Sequence, residues 1–216
     1  MNNLAYLPQR ELVCDLCKKF YAKGWASGTG GGVSIRVDDS NYLIAPSGVQ
    51  KEEIESKDLF VIELIDCGYK IIEKPENLKI SACTDIFVNI YKKRKEVGAI
   101  IHSHSINSVL LTKIVNGDHV TISKYEMLKG LEGCNYFGSH TIPILNNVEN
   151  ECDLADSVAE VVEKYPLSHA VLVRDHGVYI WGRNWERAKV HAECYDYLFE
   201  AFIKEKQLMN IISLKN

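Results

Sequence analysis

What most limits the fold of this chain is the way its hydrophobic period changes along the sequence. Leu12, Leu16 and Phe20 recur at i, i+4 ahead of Gly24, which predicts an amphipathic helix with a glycine available for its C-terminus. From Val33 the period drops to two. Val33, Ile35 and Val37 alternate with Ser34 and Arg36, and Tyr42–Ala45, Leu59–Ile65 and Tyr69–Ile72 follow between Asp-Ser-Asn and Asp-Cys-Gly punctuation, the pattern of a β-meander. The helical period returns over Thr84–Val97, where Ile86, Phe87 and Ile90 share a face, Thr84 or Ser81 is available as N-cap, and the basic run Lys92–Lys95 suits the C-terminal end of the dipole. No linker, low-complexity run or repeat divides the chain, so residues 1–216 are expected to form one domain of mixed α and β.

Beyond Gly98 the short apolar run Ala99–Ile101 predicts a buried strand that leads straight into His102-Ser103-His104. Helices are predicted at Asn107–Val115, Lys124–Gly130 and Asp153–Tyr165, with a strand near Thr141–Leu145. A further strand, Ala170–Val173, reaches Arg174-Asp175-His176-Gly177, and Val178–Trp181 returns beside it. Asn184 can cap a last helix whose apolar stripe is Ala188, Ala192, Tyr195, Leu198, Phe199 and Phe202.

Composition removes several classes of function. Lys and Arg number 25 against 29 Asp and Glu, a net charge of −4, so no positive excess drives nucleic-acid binding by counterion release. The apolar stretches fall far short of the roughly 20 residues of a membrane-spanning helix. Met1–Arg10 lacks a basic region followed by an apolar one and does not read as a secretory signal. Seven cysteines, an odd number scattered along a chain of this length, fit a reducing, cytoplasmic compartment better than a disulfide framework. Cys14 and Cys17 form a C-x-x-C inside the first helix, where packing is the simpler reading.

In a strand, residues two apart face the same way, so His102 and His104 would hold two imidazoles side by side. His176 also ends an apolar strand and is followed by Gly177, whose missing side chain permits a sharp turn or a close backbone approach. Three neutral imidazoles suit Zn²⁺ and leave one tetrahedral position open. By itself an H-x-H pair is more often incidental, and His119, His140, His169 and His191 read as surface or satisfied core residues. A second constellation joins Gly28-Thr29-Gly30-Gly31-Gly32 to Ala45-Pro46-Ser47-Gly48-Val49-Gln50-Lys51. Backbone N–H groups there, with the hydroxyls of Thr29 and Ser47 and the Lys51 ammonium, could cradle an anion. Ordinary tight turns explain the same glycines, and neither the Walker loop nor the Rossmann fingerprint is present.

Taken in order, the glycine loop with Val33-Ser34, the Pro46-Ser47-Gly48 turn, the Ser81 helix start, His102-x-His104 and His176-Gly177 resemble the class II aldolase/adducin family of zinc sugar-phosphate enzymes over roughly residues 8–205. The resemblance implies a three-layer α/β/α domain with a central mixed, largely antiparallel sheet. It also implies one Zn²⁺ per subunit on His102, His104 and His176, phosphate binding by Gly31, Ser47, Gly48 and Ser81 with Lys51 nearby, and a homotetramer with sites near subunit boundaries. Two departures narrow the branch. Sugar-phosphate aldolases of the family carry a carboxylate nineteen residues before the first zinc histidine, where this chain has Cys83, and a familiar asparagine is replaced by Gly32. Both departures are similar to a dehydratase branch, as are Ala45-Pro-Ser-Gly-Val-Gln-Lys-Glu, Glu126-Met127-x-Lys129-Gly130 and Glu193-Cys-Tyr-Asp-Tyr-Leu-Phe199. That branch implies a 2-ketose phosphate substrate with a methylthio group at C5, Glu126 as catalytic acid/base, and Cys83 lining the substrate site. A solvated glutamate and a plain buried thiol are the ordinary alternatives for these two residues. An aldolase or epimerase of another ketose phosphate, and a noncatalytic interaction module on the same fold, are the rival functions.

Overall fold

A computed structural model of the protein describes residues 4–213, so the first three residues of Met1–Arg10 lie outside the described residues. In chain order the elements are α1 (Leu7–Ala22), β1 (Gly32–Arg36), β2 (Asn41–Ile44), β3 (Pro46–Ser47), β4 (Phe60–Ile65), β5 (Gly68–Glu73), β6 (Lys79–Ile80), α2 (Thr84–Lys93), β7 (Ala99–Ser103), α3 (Ile106–Ile114), β8 (His119–Ser123), β9 (Ser139–Leu145), α4 (Ala155–Lys164), β10 (Ala170–Val173), β11 (Gly177–Gly182) and α5 (Trp185–Ser213). Nine strands make one sheet in the order β5-β4-β2-β1-β7-β11-β10-β9-β8. Its pairings are antiparallel except for β9 with β10, which gives the mixed, largely antiparallel sheet expected.

Period-2 alternation sends successive strand residues to opposite cores. Val33, Ile35, Ile101, Leu172 and Ile180 pack on one side with Leu16 and Phe20 of α1, Leu111 of α3 and Tyr195, Leu198 and Phe199 of α5. Ile44, Ile100, Val171, Val173 and Trp181 pack on the other with Ile86, Phe87 and Ile90 of α2 and Val158 and Val162 of α4. Two helical layers thus enclose the sheet, because strands buried on both faces need an apolar cover on each. Asn184 caps α5 as expected, its Oδ1 accepting the Arg187 N–H at 2.9 Å. Among the described residues no helix is long and apolar enough to cross a membrane.

Several expected elements differ. The helix predicted over Thr84–Val97 ends at Lys93, where Arg94 leaves helical geometry and its guanidinium turns to the Pro166 carbonyl, 2.7 Å away. Neither Thr84 nor Ser81 caps it. Ser81 Oγ accepts the Cys83 N–H instead, at 3.3 Å. Lys124–Gly130 is not an α-helix. Lys124 sits at φ +63°, and only a 3₁₀ turn, Glu126–Gly130, follows, a segment too short to repay helix nucleation. Asp153–Tyr165 is split into a 3₁₀ turn, Glu151–Leu154, and α4. Strand β8 was not anticipated, although Val120 and Ile122 alternate there with exposed neighbours. The two-residue ladder of β3 with β6 was also missed.

Candidate active site

The centre of the site is built by register. His102 on β7 lies opposite Gly32 of β1 and Tyr179 of β11, so its ring stacks flat on the Tyr179 ring, centroids 4.1 Å apart. Its Nδ1–H faces the Val178 carbonyl at 3.2 Å, which fixes the tautomer and leaves the Nε2 lone pair pointing inward. His104 follows just beyond the strand, its backbone N–H donating to the Trp25 carbonyl at 2.8 Å. His176 arrives from the β10–β11 turn, where Asp175 takes φ +60° and Gly177 lies so close to β7 that a Cβ would stand 2.2 Å from the Ser103 carbonyl oxygen. Close approach, and not a left-handed turn, is the reason for glycine at 177.

The three Nε2 atoms converge. His104 Nε2 is 2.8 Å from that of His102 and 3.1 Å from that of His176. Nitrogens held by one tetrahedral zinc stand about 3.3 Å apart. Burial, helped by the neighbouring His102 and His176, lowers the His104 pKa to about 3, and burial lowers that of His176 as well. At neutral pH these two rings are therefore uncharged, the form in which imidazole ligates. Among the described residues the buried His176 Nδ1 has no hydrogen-bond partner. Three imidazole nitrogens that face one another in this way fit a divalent cation.

On one side of the histidines lies a narrow cleft lined by Thr29, Gly31, Ser47, Lys51, Ser81 and Cys83. The β3–β6 ladder pairs Ser47 with Lys79, and so carries Ser81 to the same place. The Lys51 side chain is buried with carbonyls as its partners, Thr29 at 3.1 Å and Val49 at 3.5 Å, and burial lowers its pKa. A buried ammonium facing two carbonyls favours an anion as its next neighbour. Gly48 takes φ +70° immediately after Ser47 and turns the chain there without lining the cleft itself. On the other side a wider opening is bounded by Asn147, Val148, Glu149 and Asp175.

Cys83 lies in this cleft, fully enclosed, and burial pushes its thiol pKa far up, so it is a neutral donor. Glu126 does not join the cluster in its own chain. Its side chain is 73% exposed and pairs with Lys129 at 2.6 Å on the 3₁₀ turn. The sequence reading missed two residues, Tyr179 and Glu151. Tyr179 stood in plain view two residues after Gly177, whereas Glu151 lies in the polar run Asn146–Asp153, which has no periodic or motif signal. Elsewhere His140 and His191 are buried and bonded to the Tyr195 hydroxyl and the Trp181 carbonyl, and His119 is exposed beside Asp118. Glu132, His169 and His191 also meet, but Arg187 stands 3.3 Å from both the Glu132 carboxylate and the His191 ring, which leaves no room for a second cation.

Gly30 packs against the histidines so closely that a Cβ would stand 2.5 Å from His104 Nδ1. Its φ is ordinary, so Gly30→Ala leaves the backbone unstrained and can only swing the His104 ring away. The variant is expected to lose about 10-fold or more in metal affinity, with thermal unfolding of the metal-free protein close to wild type. Chelator competition and a melting curve measure the two.

This sheet, with helices on both faces, is the arrangement of the class II aldolase fold. A solved L-fuculose 1-phosphate aldolase superposes with a TM-score of 0.78 over 96% of this chain and 91% of its own, at 20% identity. That of Thermus thermophilus gives 0.70 over 94% and 98%, also at 20% identity. Residues 11–203 match the family described as Class II Aldolase and Adducin N-terminal domain, and the chain belongs to that family. Within it, the chain is 45% identical over 204 residues to the methylthioribulose-1-phosphate dehydratase of Bos taurus, covering 92% of this chain and 84% of that protein. It is 43% identical over 205 residues to the Homo sapiens enzyme of the same name, with 92% and 84% covered. A probable methylthioribulose-1-phosphate dehydratase of Dictyostelium discoideum is 44% identical over 216 residues, covering 96% and 92%.

Proposed function

We propose that this protein is a zinc-dependent hydro-lyase that converts 5-methylthioribulose 1-phosphate to 2,3-diketo-5-methylthiopentyl 1-phosphate, a step of methionine salvage. The observation that carries this reading is the convergence of three Nε2 atoms beside a buried Lys51 whose ammonium faces backbone carbonyls, in a chain 45% identical to a methylthioribulose-1-phosphate dehydratase. His102, His104 and His176 would hold one Zn²⁺ per subunit. When bound, the metal supplies Lewis-acid polarisation of the ketose carbonyl, which acidifies the neighbouring C–H.

The protein's own groups do the rest. Lys51, Ser47, Ser81 and the backbone around Gly31 take the phosphate, with Gly48 setting the turn that presents Ser47. The slightly negative chain thus attracts phosphate with a local pocket in place of a basic surface. Cys83 lines the cleft between the phosphate side and the histidines and keeps water from the reacting carbons. Glu126 takes the proton from C3 and returns one to the departing C4 oxygen, after which the enol tautomerises to the diketone.

In this reading Glu126, exposed on its own chain, acts in the site of a neighbouring copy in a homotetramer. Ile106, Leu110 and Ile114, spaced by four on α3 and 64%, 43% and 47% exposed, form an apolar face of the kind that subunit contacts cover. A cytoplasmic location belongs to the same reading and is supported by seven free cysteines.

Zinc-loaded protein is expected to consume methylthioribulose 1-phosphate and form a diketone with the carbon chain intact, followed by mass spectrometry. Release of a two-carbon aldehyde fragment would make it an aldolase. Inertness toward every ketose phosphate would leave only a noncatalytic module.

A further inference from the structure

Glu151 stands among the histidines although no sequence feature points to it. It opens the 3₁₀ turn after the loop that leaves β9, and its Oε1 is 3.1 Å from His102 Nε2 and 3.7 Å from His176 Nε2. The same oxygen accepts from the Cys83 thiol at 3.2 Å and from the Tyr179 hydroxyl. Only 19% of the side chain is exposed, and it borders both the narrow cleft and the wider opening. Here hydroxyl, thiol and imidazole converge on one oxygen, and that oxygen points at the histidine nitrogens.

We propose that in the substrate-free protein Glu151 is a fourth protein donor to the metal centre, at the position a substrate oxygen takes during turnover, and that Tyr179 and Cys83 are the positioning residues that hold its Oε1 toward His102 and His176. This rests on the reading of the histidines as metal ligands. The physical gain is charge. Three neutral imidazoles leave a divalent cation with its full charge in a half-buried site, whereas one carboxylate halves it and lowers the cost of burial. Tyr179 then has two functions through one ring: its face stacks on His102 and its hydroxyl fixes Glu151. The dependence of the centre on β11 follows, since Tyr179 lies within that strand and His176 immediately precedes it.

The test is zinc affinity of the full chain, measured by competition with a chromophoric chelator, together with the visible spectrum of the Co²⁺-loaded protein. Glu151→Gln keeps the size and an acceptor oxygen but removes the charge. It is expected to weaken zinc binding about 10–100-fold and to shift the Co²⁺ bands relative to wild type. Equal affinity with superimposable Co²⁺ spectra overturns the proposal. Circular dichroism of the metal-free proteins establishes folding. Should the Gln variant fail to fold, Glu151→Asp carries the test, with a shorter reach expected to weaken binding and shift the bands, and identity to wild type overturning the assignment. A wild-type chain that takes up no zinc overturns the histidine reading first, and Glu151 with it, so the two failures are distinguishable.

Discussion

His104→Ala is expected to abolish dehydration, with turnover falling about 10³-fold or more, because the central member of the histidine cluster is lost. Its Nε2 is the atom within 3.1 Å of both other rings, and without it His102 and His176 are left with no third imidazole between them, which weakens the hold on a divalent cation even with Glu151 beside the pair. Lewis-acid stabilisation is worth several kcal/mol, and each 1.36 kcal/mol is about tenfold in rate. Stripping the wild type with a chelator is expected to give the same loss, reversed by Zn²⁺, whereas added Zn²⁺ leaves His104→Ala inactive. The variant is expected to keep its fold, since His104 lies beyond the end of β7 and is only partly buried. The measurement is turnover beside metal content by atomic absorption. A His104→Ala enzyme that retains stoichiometric zinc and near-native turnover would remove the basis of the proposed function.

Glu126→Gln is expected to lower kcat by about 10²–10⁴-fold, the usual worth of positioned proton transfer, at unchanged zinc content. The exposure of this carboxylate makes the expectation sharper. If Glu126 serves the site of a neighbouring copy, then neither Glu126→Gln nor His104→Ala alone is active, but mixed oligomers of the two contain sites with both groups intact. Subunit exchange between the inactive variants is expected to restore a substantial fraction of wild-type turnover. Mixed oligomers, verified as mixed by mass, that stay inactive would show that Glu126 does not complete a neighbour's site. Near-native turnover by Glu126→Gln would remove it from the reaction altogether.

Much of the fold was legible because period reports burial locally. The helix of Leu12, Leu16 and Phe20, the meander from Val33, and the two apolar runs ending in histidine all appear where their patterns stand. The segments that misled were those where local pattern is weakest. A two-residue ladder such as β3–β6 has no period, and Lys124–Gly130 holds helix-forming residues that its preceding left-handed Lys124 and its brevity overrule. In the site, His102 and His104 could be paired from spacing alone, since two steps along a strand return the side chain to the same face. Glu151 could not, because nothing within its own loop distinguishes it from Glu149 or Asp153.

The sequence by itself determined the chemistry at hand: which positions carry imidazoles, thiols, hydroxyls and an ammonium, how each stretch would curl or extend, and the family to which the order of motifs belongs. Only the tertiary structure decided which of these groups meet. His104 and His176 are 72 positions apart, and they touch because β11 pairs with β7 in a register that places Tyr179 against His102 and brings Gly177 against Ser103. That same register delivers the Tyr179 hydroxyl to Glu151 and leaves Glu126 outside on a solvent-facing turn. Contacts of this kind depend on strand register and on the desolvation that packing imposes, and both are properties of the assembled sheet that no local stretch of sequence carries.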